Sequence, residues 1–378
     1  MSRRAEFISY SPRSILNKSK RPDSWFWARY SAYPYVGCQH GCSFCYCRER
    51  KYAPYDDPED FAYVIKVKTN APELLRRALG RQPVDLVFTG DYQPAERKFG
   101  LSRRMLEVCC DLGFPVFVLE RSPLVLRDLD VLQSIQAKAP SVVAFSVIAA
   151  PCSSAEPAVR QFERLAPPAA RRFKAMERIA QAGILTGTCA MPLLPGITDN
   201  PLDLETLVRW TADHGGRFVL AGSLTLADVQ REYFLAQLQK QQPQLLSHYH
   251  ALYPPGSYAP ATEAGRRLAR TVRELCQRHG LSDRIPRPVI PGDRRECSRR
   301  LAEWLANRCY DLELEAAPPS QVWAYRKAAW AVEDLEPGVD RVYQAMGRRG
   351  LEQVPGIGPR LAGEVERWLQ LADPPARL

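Results

Sequence analysis

The sequence predicts an α/β protein: a partial (β/α)6 barrel, followed by a helical segment and a small all-α domain. Three observations carry that expectation. From Val64 onward, short β-branched runs alternate with longer amphipathic ones, the pattern of repeated βα units around a parallel sheet. The cysteine-rich loop from Gly37 to Cys47 follows the tyrosine-rich stretch 28–36, so a strand delivers it at its end, where α/β proteins gather their chemistry. From about Pro318 the chain changes character, and helical stretches flank the turn signal Pro355-Gly356-Ile357-Gly358.

In chain order, residues 1–30 form a polar, basic arm expected to lie over the domain that follows. Residues 28–36 read as the first strand, and residues 48–62, rich in Asp, Pro and Tyr, as loop. Helix 71–79 then leads to strand 84–89, helix 101–112 to strand 116–119, and helix 124–138 to strand 142–147. Helix 168–182 precedes strand 184–191, and helix 202–214 precedes strand 218–220. Residues 31–225 therefore read as the barrel, 226–317 as a helical extension with a hinge at 286–292, and 318–378 as the terminal module.

The chain has 378 residues, 46% hydrophobic and 25% charged, which is ordinary for a folded globular protein and excludes general disorder. Its net charge of +10 favours a polyanionic partner. Half of that excess lies in the arm, where Arg3, Arg4, Arg13, Lys18, Lys20, Arg21 and Arg29 face only Glu6 and Asp23. The odd number of cysteines, 11, does not resemble the paired framework of a secreted domain, so a reducing compartment is expected. Met-Ser-Arg-Arg-Ala-Glu lacks the apolar run of a signal peptide, and no stretch approaches the ~18–20 consecutive apolar residues of a membrane span. The expectation is a cytoplasmic protein with no membrane association.

Cys38, Cys42 and Cys45 stand in a C-x3-C-x2-C pattern, close enough for one loop to turn all three thiolates onto one metal centre. Three ligands are one short of a closed zinc site or of an ordinary four-cysteine cluster, which points to a [4Fe–4S] cluster with one iron left open. The alternative is a zinc knuckle closed by Cys47, although C-x-C closure is a poorer match to zinc-ligand spacing. A second metal site from Cys276, His279, Cys297 and Cys309 would have no compact ligand pair.

With Phe44 as the aromatic before the third cysteine, the loop resembles the signature of the radical S-adenosylmethionine enzymes. That resemblance implies an open iron that chelates the amino and carboxylate groups of S-adenosylmethionine, with Phe44 beside the adenine. An electron, from a donor such as flavodoxin or ferredoxin, would then split the sulfonium to give a 5′-deoxyadenosyl radical. Four further stretches resemble the branch that contains spore photoproduct lyase: Tyr-Pro-Tyr-Val-Gly-Cys-Gln-His-Gly-Cys, Thr-Asn-Ala-Pro-Glu-Leu-Leu-Arg-Arg, Asp-Tyr-Gln-Pro-Ala-Glu-Arg and Leu-Val-Leu-Arg-Asp-Leu-Asp.

On this resemblance, Gly90 and Asp91 form the turn at the methionine amino group and Arg121 meets the methionine carboxylate. Ser146 would contact the ribose, and Pro195 with Gly196 would turn beside the adenine. Singly, each has a plainer reading as a turn, a solvated charge or a satisfied hydroxyl, and only their joint placement at strand ends raises them. One departure matters. Spore photoproduct lyase places a hydrogen-donating thiol just beyond its second strand, whereas Val87-Phe88-Thr89-Gly90-Asp91-Tyr92 has no cysteine, so that activity is not carried over. Tyr92, Cys109 and Cys152 are left as catalytic candidates, although Cys109 lies on an apolar helix and Cys152 in a loop.

The tail, with Val322-Trp-Ala-Tyr-Arg-Lys-Ala-Ala-Trp followed by Leu351-Glu-Gln-Val-Pro-Gly-Ile-Gly-Pro-Arg, resembles the amino-terminal helix-hairpin-helix domain of family X DNA polymerases. Gly356 and Gly358 permit a tight turn whose N–H groups can receive a phosphate oxygen, and Arg360 adds a charge. Residues 318–378 are electrically neutral, however, and no lysine follows Arg360 to serve a lyase reaction, so the module reads as a binder. The leading reading is a radical enzyme that acts on, or is recruited to, DNA without reading its sequence. The second gives it a protein or small-molecule substrate, with the tail as a protein contact. The third is a non-catalytic DNA-binding protein with a structural or redox-sensing cluster.

Overall fold

The computed structural model describes residues 3–371. They fall into two compact units: the chain up to Lys18 together with Tyr30–Ile285, and Ser19–Arg29 together with the residues from Pro286 on. The last seven residues of the 318–378 module lie outside the described residues.

The first unit runs β1 (Glu6–Tyr10), β2 (Asn17–Lys18), β3 (Tyr30–Ala32), β4 (Tyr35–Val36), α1 (Asp60–Tyr63), β5 (Val64–Lys68), α2 (Ala71–Leu79), β6 (Val87–Thr89), α3 (Glu96–Phe99) and α4 (Leu101–Leu112). It continues through β7 (Val116–Glu120), α5 (Leu129–Gln136), β8 (Ser141–Ser146), α6 (Glu156–Phe162), α7 (Ala169–Gln181), β9 (Leu185–Leu193), α8 (Pro201–Asp213) and β10 (Val219–Ser223), and closes with α9 (Asp228–Gln241), α10 (Leu246–Leu252) and α11 (Thr262–Arg278). The main sheet has the order β10-β9-β8-β7-β6-β3-β2 and is parallel except at the β2–β3 edge. All of β8 is buried, as expected of a parallel strand covered on both faces. Helices pack by one apolar stripe: α4 buries Leu101, Met105, Leu106, Val108 and Cys109. Because every βα unit runs the same way, the ends of β6, β7, β8 and β9 converge on one edge of the sheet.

Three expectations are corrected. The single strand 28–36 is split: Tyr30–Ala32 joins the main sheet, while Tyr35–Val36 pairs antiparallel with β5 in a second sheet of order β1-β5-β4. Pro34, which has no N–H to offer a ladder, stands at the break. The arm does not merely lie over the domain, because Glu6–Tyr10 pairs in parallel with β5. The helix expected over 124–138 opens as a 3-10 turn at Pro123–Asp128, where Ser122 Oγ accepts the Leu124 N–H, and becomes α-helical only from Leu129.

The second unit contains α12 (Glu296–Leu314), α13 (Pro319–Glu333), α14 (Val339–Glu352) and α15 (Pro359–Gln370). Leu301, Leu305, Cys309 and Leu312 form the apolar stripe of α12 and share a core with Val322, Tyr325 and Val332 of α13. Arg287 makes a buried fork to Glu333, at 2.6 and 2.7 Å, with its guanidinium over Trp27. Gly347, at φ 57° and ψ −149°, breaks α14 into two pieces. Among the described residues no helix is long and apolar enough to cross a membrane.

Candidate active site

β4 hands the chain to Gly37, whose φ of +83° and close approach to Tyr55 Oη and Val64 O, 2.7 and 2.8 Å from where a Cβ would stand, leave room only for glycine. The cysteine loop begins there and is held by backbone bonds, with Cys38 N–H donating to Phe61 O at 2.8 Å and Ser43 N–H to Phe162 O at 2.9 Å. Arg48 braces it from below. Its guanidinium, buried over Phe61 and Tyr233, donates to the carbonyls of Cys42 (2.9 Å), Gly41 (3.0 Å) and Pro58 (2.7 Å). Gln93 ties the loop to the end of β6, donating to Gly37 O and accepting the Gln39 N–H, each at 3.0 Å, while Gln230 donates to Phe44 O. Phe44 is buried, with the Arg121 guanidinium 5.2 Å from its ring centre.

Arg121, at the end of β7, lies within electrostatic reach of Glu163 and of the thiols of Cys42, Cys45 and Cys38. It donates to Glu163 and, at 3.4 Å, to Met191 O. The same carbonyl accepts Ser146 Oγ at 3.1 Å, so the ends of β7, β8 and β9 meet at one atom. Glu163 also pairs with Arg172, which donates to Ser146 O at 2.8 Å. Burial alone would raise the Glu163 carboxyl, but the two guanidinium groups outweigh that and hold it below its ordinary value. His40 is pushed down to about 3 by burial and by the nearby Arg172 and Arg121.

On the other side Gly90, at φ +98°, turns the chain so that Asp91, half-buried, accepts from Gln93 Nε2 at 3.1 Å. Burial pushes Asp91 up to about 7, and Glu120, which accepts the Tyr92 N–H at 3.0 Å, is raised by burial and by Asp91. The Pro195-Gly196 turn has φ +74° at Gly196, whose N–H donates to Asp199 at 2.8 Å.

Among the described residues no group of three or more His, Cys, Asp and Glu is spaced as a formed metal site. The donor set still fits a thiolate-held cluster. Burial raises Cys38 and Cys42, Cys42 to about 11; each also feels the charge of Cys45, and all three thiols lie within electrostatic reach of Arg121. Interaction with Cys47 lowers the Cys45 thiol and raises that of Cys47.

The structure thus brings Cys38, Cys42, Cys45, Phe44 and Arg121 together, with Ser146 joined through Met191 O. The catalytic candidates go elsewhere. The Tyr92 phenol is buried and donates to Asp128 at 2.9 Å, Cys109 lies in the apolar core of α4, and Cys152 is exposed in the loop after β8. Sequence reasoning passed over Glu163, Arg172, Arg48, Gln93 and Glu120. Only Gln93, inside a quoted stretch, and Arg48, directly after the cysteine loop, lay at a motif; the others become neighbours through the fold. In the second unit Gly356, at φ +87°, sits against the Lys327 backbone, and Gly358 caps α15 with no side-chain cap bond. Arg360 is mostly exposed beside Glu364.

Residues 33–208 match the family model described as the Radical SAM superfamily. The chain therefore carries a radical SAM domain, and it is an enzyme. An uncharacterized protein of Mycobacterium tuberculosis (strain ATCC 25618 / H37Rv) is 29% identical over 269 residues, 69% of this chain and 77% of that one. An uncharacterized protein of Methanocaldococcus jannaschii is 26% identical over 205 residues, 53% of this chain and 72% of that one. Among solved structures, spore photoproduct lyase complexed with dinucleoside spore photoproduct aligns with a TM-score of 0.55 at 14% identity, over 73% of this chain and 81% of that one. A mutant of that lyase with bound AdoMet and dinucleoside spore photoproduct gives the same values. At such identity the likeness shows a shared fold.

Proposed function

We propose that this enzyme holds one [4Fe–4S] cluster on Cys38, Cys42 and Cys45, binds S-adenosylmethionine against it, and acts on or is recruited to DNA. The observation that carries the reading is Arg121: a guanidinium at the end of β7, 5.2 Å from the ring centre of Phe44 and within electrostatic reach of all three thiols. When bound, the cluster and cofactor would supply a 5′-deoxyadenosyl radical, with an electron donor such as flavodoxin or ferredoxin. The protein's own part is to orient. Arg121 would receive the carboxylate, Asp91 with Gly90 the amino group, Ser146 the ribose, and Phe44 with Pro195-Gly196 the adenine. On this reading the parallel sheet is a partial (β/α)6 barrel, the enzyme is cytoplasmic, and α14 and α15 form a helix-hairpin-helix that offers phosphate the N–H groups around Gly356 and Gly358, with Arg360 alongside.

A relative of the same fold is named for its complex with a dinucleoside photoproduct, which supports nucleic acid as the substrate class. The neutrality of residues 318–378 favours a second reading, in which the module contacts protein and the radical serves another substrate. Anaerobic incubation of reduced, reconstituted enzyme with S-adenosylmethionine, with and without intact or ultraviolet-damaged DNA, separates the two. DNA-coupled 5′-deoxyadenosine and an altered nucleoside by mass spectrometry are expected. Turnover indifferent to DNA would transfer the case to the second reading.

A further inference from the structure

Arg121 ends a long, flexible side chain, and an arginine receives a carboxylate well only when its planar fork is already aimed. We propose that Glu163, which no sequence motif marks, is the positioning residue that aims Arg121 at the carboxylate of an amino-acid-type cofactor. This rests on the reading of Arg121 as the carboxylate receptor.

Six interactions fix the geometry. One Glu163 oxygen accepts from Arg121 Nη1 and the other from Arg172 Nη2. Arg172 is itself locked to the end of β8, donating to Ser146 O at 2.8 Å and to Pro167 O at 2.9 Å. Arg121 Nη2 reaches Met191 O at 3.4 Å, and its guanidinium carbon lies 5.2 Å from the Phe44 ring centre. These bonds leave Arg121 Nε and a second proton on each terminal nitrogen available to another acceptor.

The charges point the same way. The side chains of Arg121, Glu163 and Arg172 are only 16%, 6% and 3% exposed, and two guanidinium groups against one carboxylate leave a buried cationic excess beside the thiols. An uncompensated buried charge is costly, so the arrangement favours an arriving anion. Glu163 also borders a small cavity lined by Val159, Arg160, Arg164 and Pro167, so on that side its place is set by the two ion pairs rather than by packing. A carboxylate with two cationic partners, one of them locked to the backbone, works as a strut.

The test compares Glu163→Gln with Glu163→Met, which match in volume but differ in having an acceptor oxygen. Anaerobic calorimetry would measure S-adenosylmethionine affinity in reconstituted protein, with Arg121→Ala in parallel and iron content as a second readout. Glu163→Gln should stay within about threefold of the parent, because its amide oxygen still accepts from Arg121. Glu163→Met should lose about tenfold or more, approaching Arg121→Ala, with iron retained in all three. If Glu163→Met does not fold, Glu163→Asp, which withdraws the acceptor by one methylene, should weaken binding several-fold. Parent-like affinity in Glu163→Met, or in Glu163→Asp where that variant stands in, overturns the proposal if Arg121→Ala loses binding. Parent-like affinity in Arg121→Ala removes the carboxylate reading itself, and the proposal with it.

Discussion

At the residue scale, the pKa shifts of two acids at the site, half-buried Asp91 and buried Glu163, run in opposite directions. Asp91 is raised to about 7 by burial. Between its ordinary pKa and that value the folded protein keeps a proton that the unfolded chain has released, so stability falls as pH rises through that window. Asp91→Asn removes this cost. Without S-adenosylmethionine, the variant should gain on the parent as pH goes from 5 to 8, by on the order of 1–3 kcal/mol, measured by anaerobic denaturant titration at both pH values. An unchanged difference between parent and variant would mean that Asp91 ionises freely. Glu163, held low by two guanidinium groups, has the reverse sign: its contribution is present above the ordinary carboxylate range and is lost as pH falls. For Arg121→Ala, removing a charge-assisted hydrogen bond predicts weaker cofactor binding by about 1.5–3 kcal/mol with the iron retained. Unaltered affinity would show that the carboxylate is received elsewhere.

At the element scale, the loop matters as a scaffold before it matters as a set of ligands. Arg48 spends one planar side chain on three loop carbonyls and two aromatic faces, which lysine, with a single compact ammonium, cannot imitate. Arg48→Lys should therefore lower stability by about 2–4 kcal/mol and reduce retained iron, read by thermal unfolding and iron assay. A variant as stable as the parent would show that the loop holds itself. Replacing Cys38, Cys42 or Cys45 with Ala should abolish the roughly four irons per chain expected of the cluster, while Cys47→Ala should keep them. Stoichiometric zinc that disappears with Cys47 would favour the knuckle. Much of this was legible in the sequence, because β-branched runs and helical stripes report on local structure: helices 71–79 and 101–112 run as expected. What stayed hidden depends on pairing. Nothing local says that residues 28–36 feed two sheets, or that Glu163 and Arg172, far along the chain, close over Arg121. The broken α14 was also missed, since Gly347 costs a helix little in pattern but much in conformation.

At the scale of the whole molecule, the proposed DNA partner would have to be attracted by a neutral module and a basic chain together. The arm is not a free tail. Arg3 pairs with Asp57 and Asp60 in the first unit and Arg21 with Asp334 in the second, so part of its charge is already matched, and deleting it would remove β1 from its sheet. Among the described residues Arg4, Arg13, Lys18 and Lys20 make no ion pair, Lys18 bonding only the neutral Gln82, and their charges remain for long-range steering. The hairpin offers something different. Pro359 opens α15 without an N–H, Gly358 supplies no side-chain cap, and the N–H groups of Arg360 and Leu361 have no partner within the helix. Phosphate bound there would be held at close range and without regard to sequence. Neutralising Arg4, Arg13 and Lys20 should therefore slow association and flatten the salt dependence, by up to about 0.9 in slope for each phosphate that is no longer neutralised. Replacing Gly356 and Gly358 with Val should instead speed dissociation, since Gly356 sits at φ +87°, a left-handed conformation in which a β-branched residue is strained. Both variants should keep the cluster and their cleavage of S-adenosylmethionine. Fluorescence anisotropy and stopped-flow with a short labelled duplex over a salt series distinguish the two lesions. If the glycine variant binds as tightly as the parent, the hairpin is not the DNA clamp, and the module is better sought in a complex with protein.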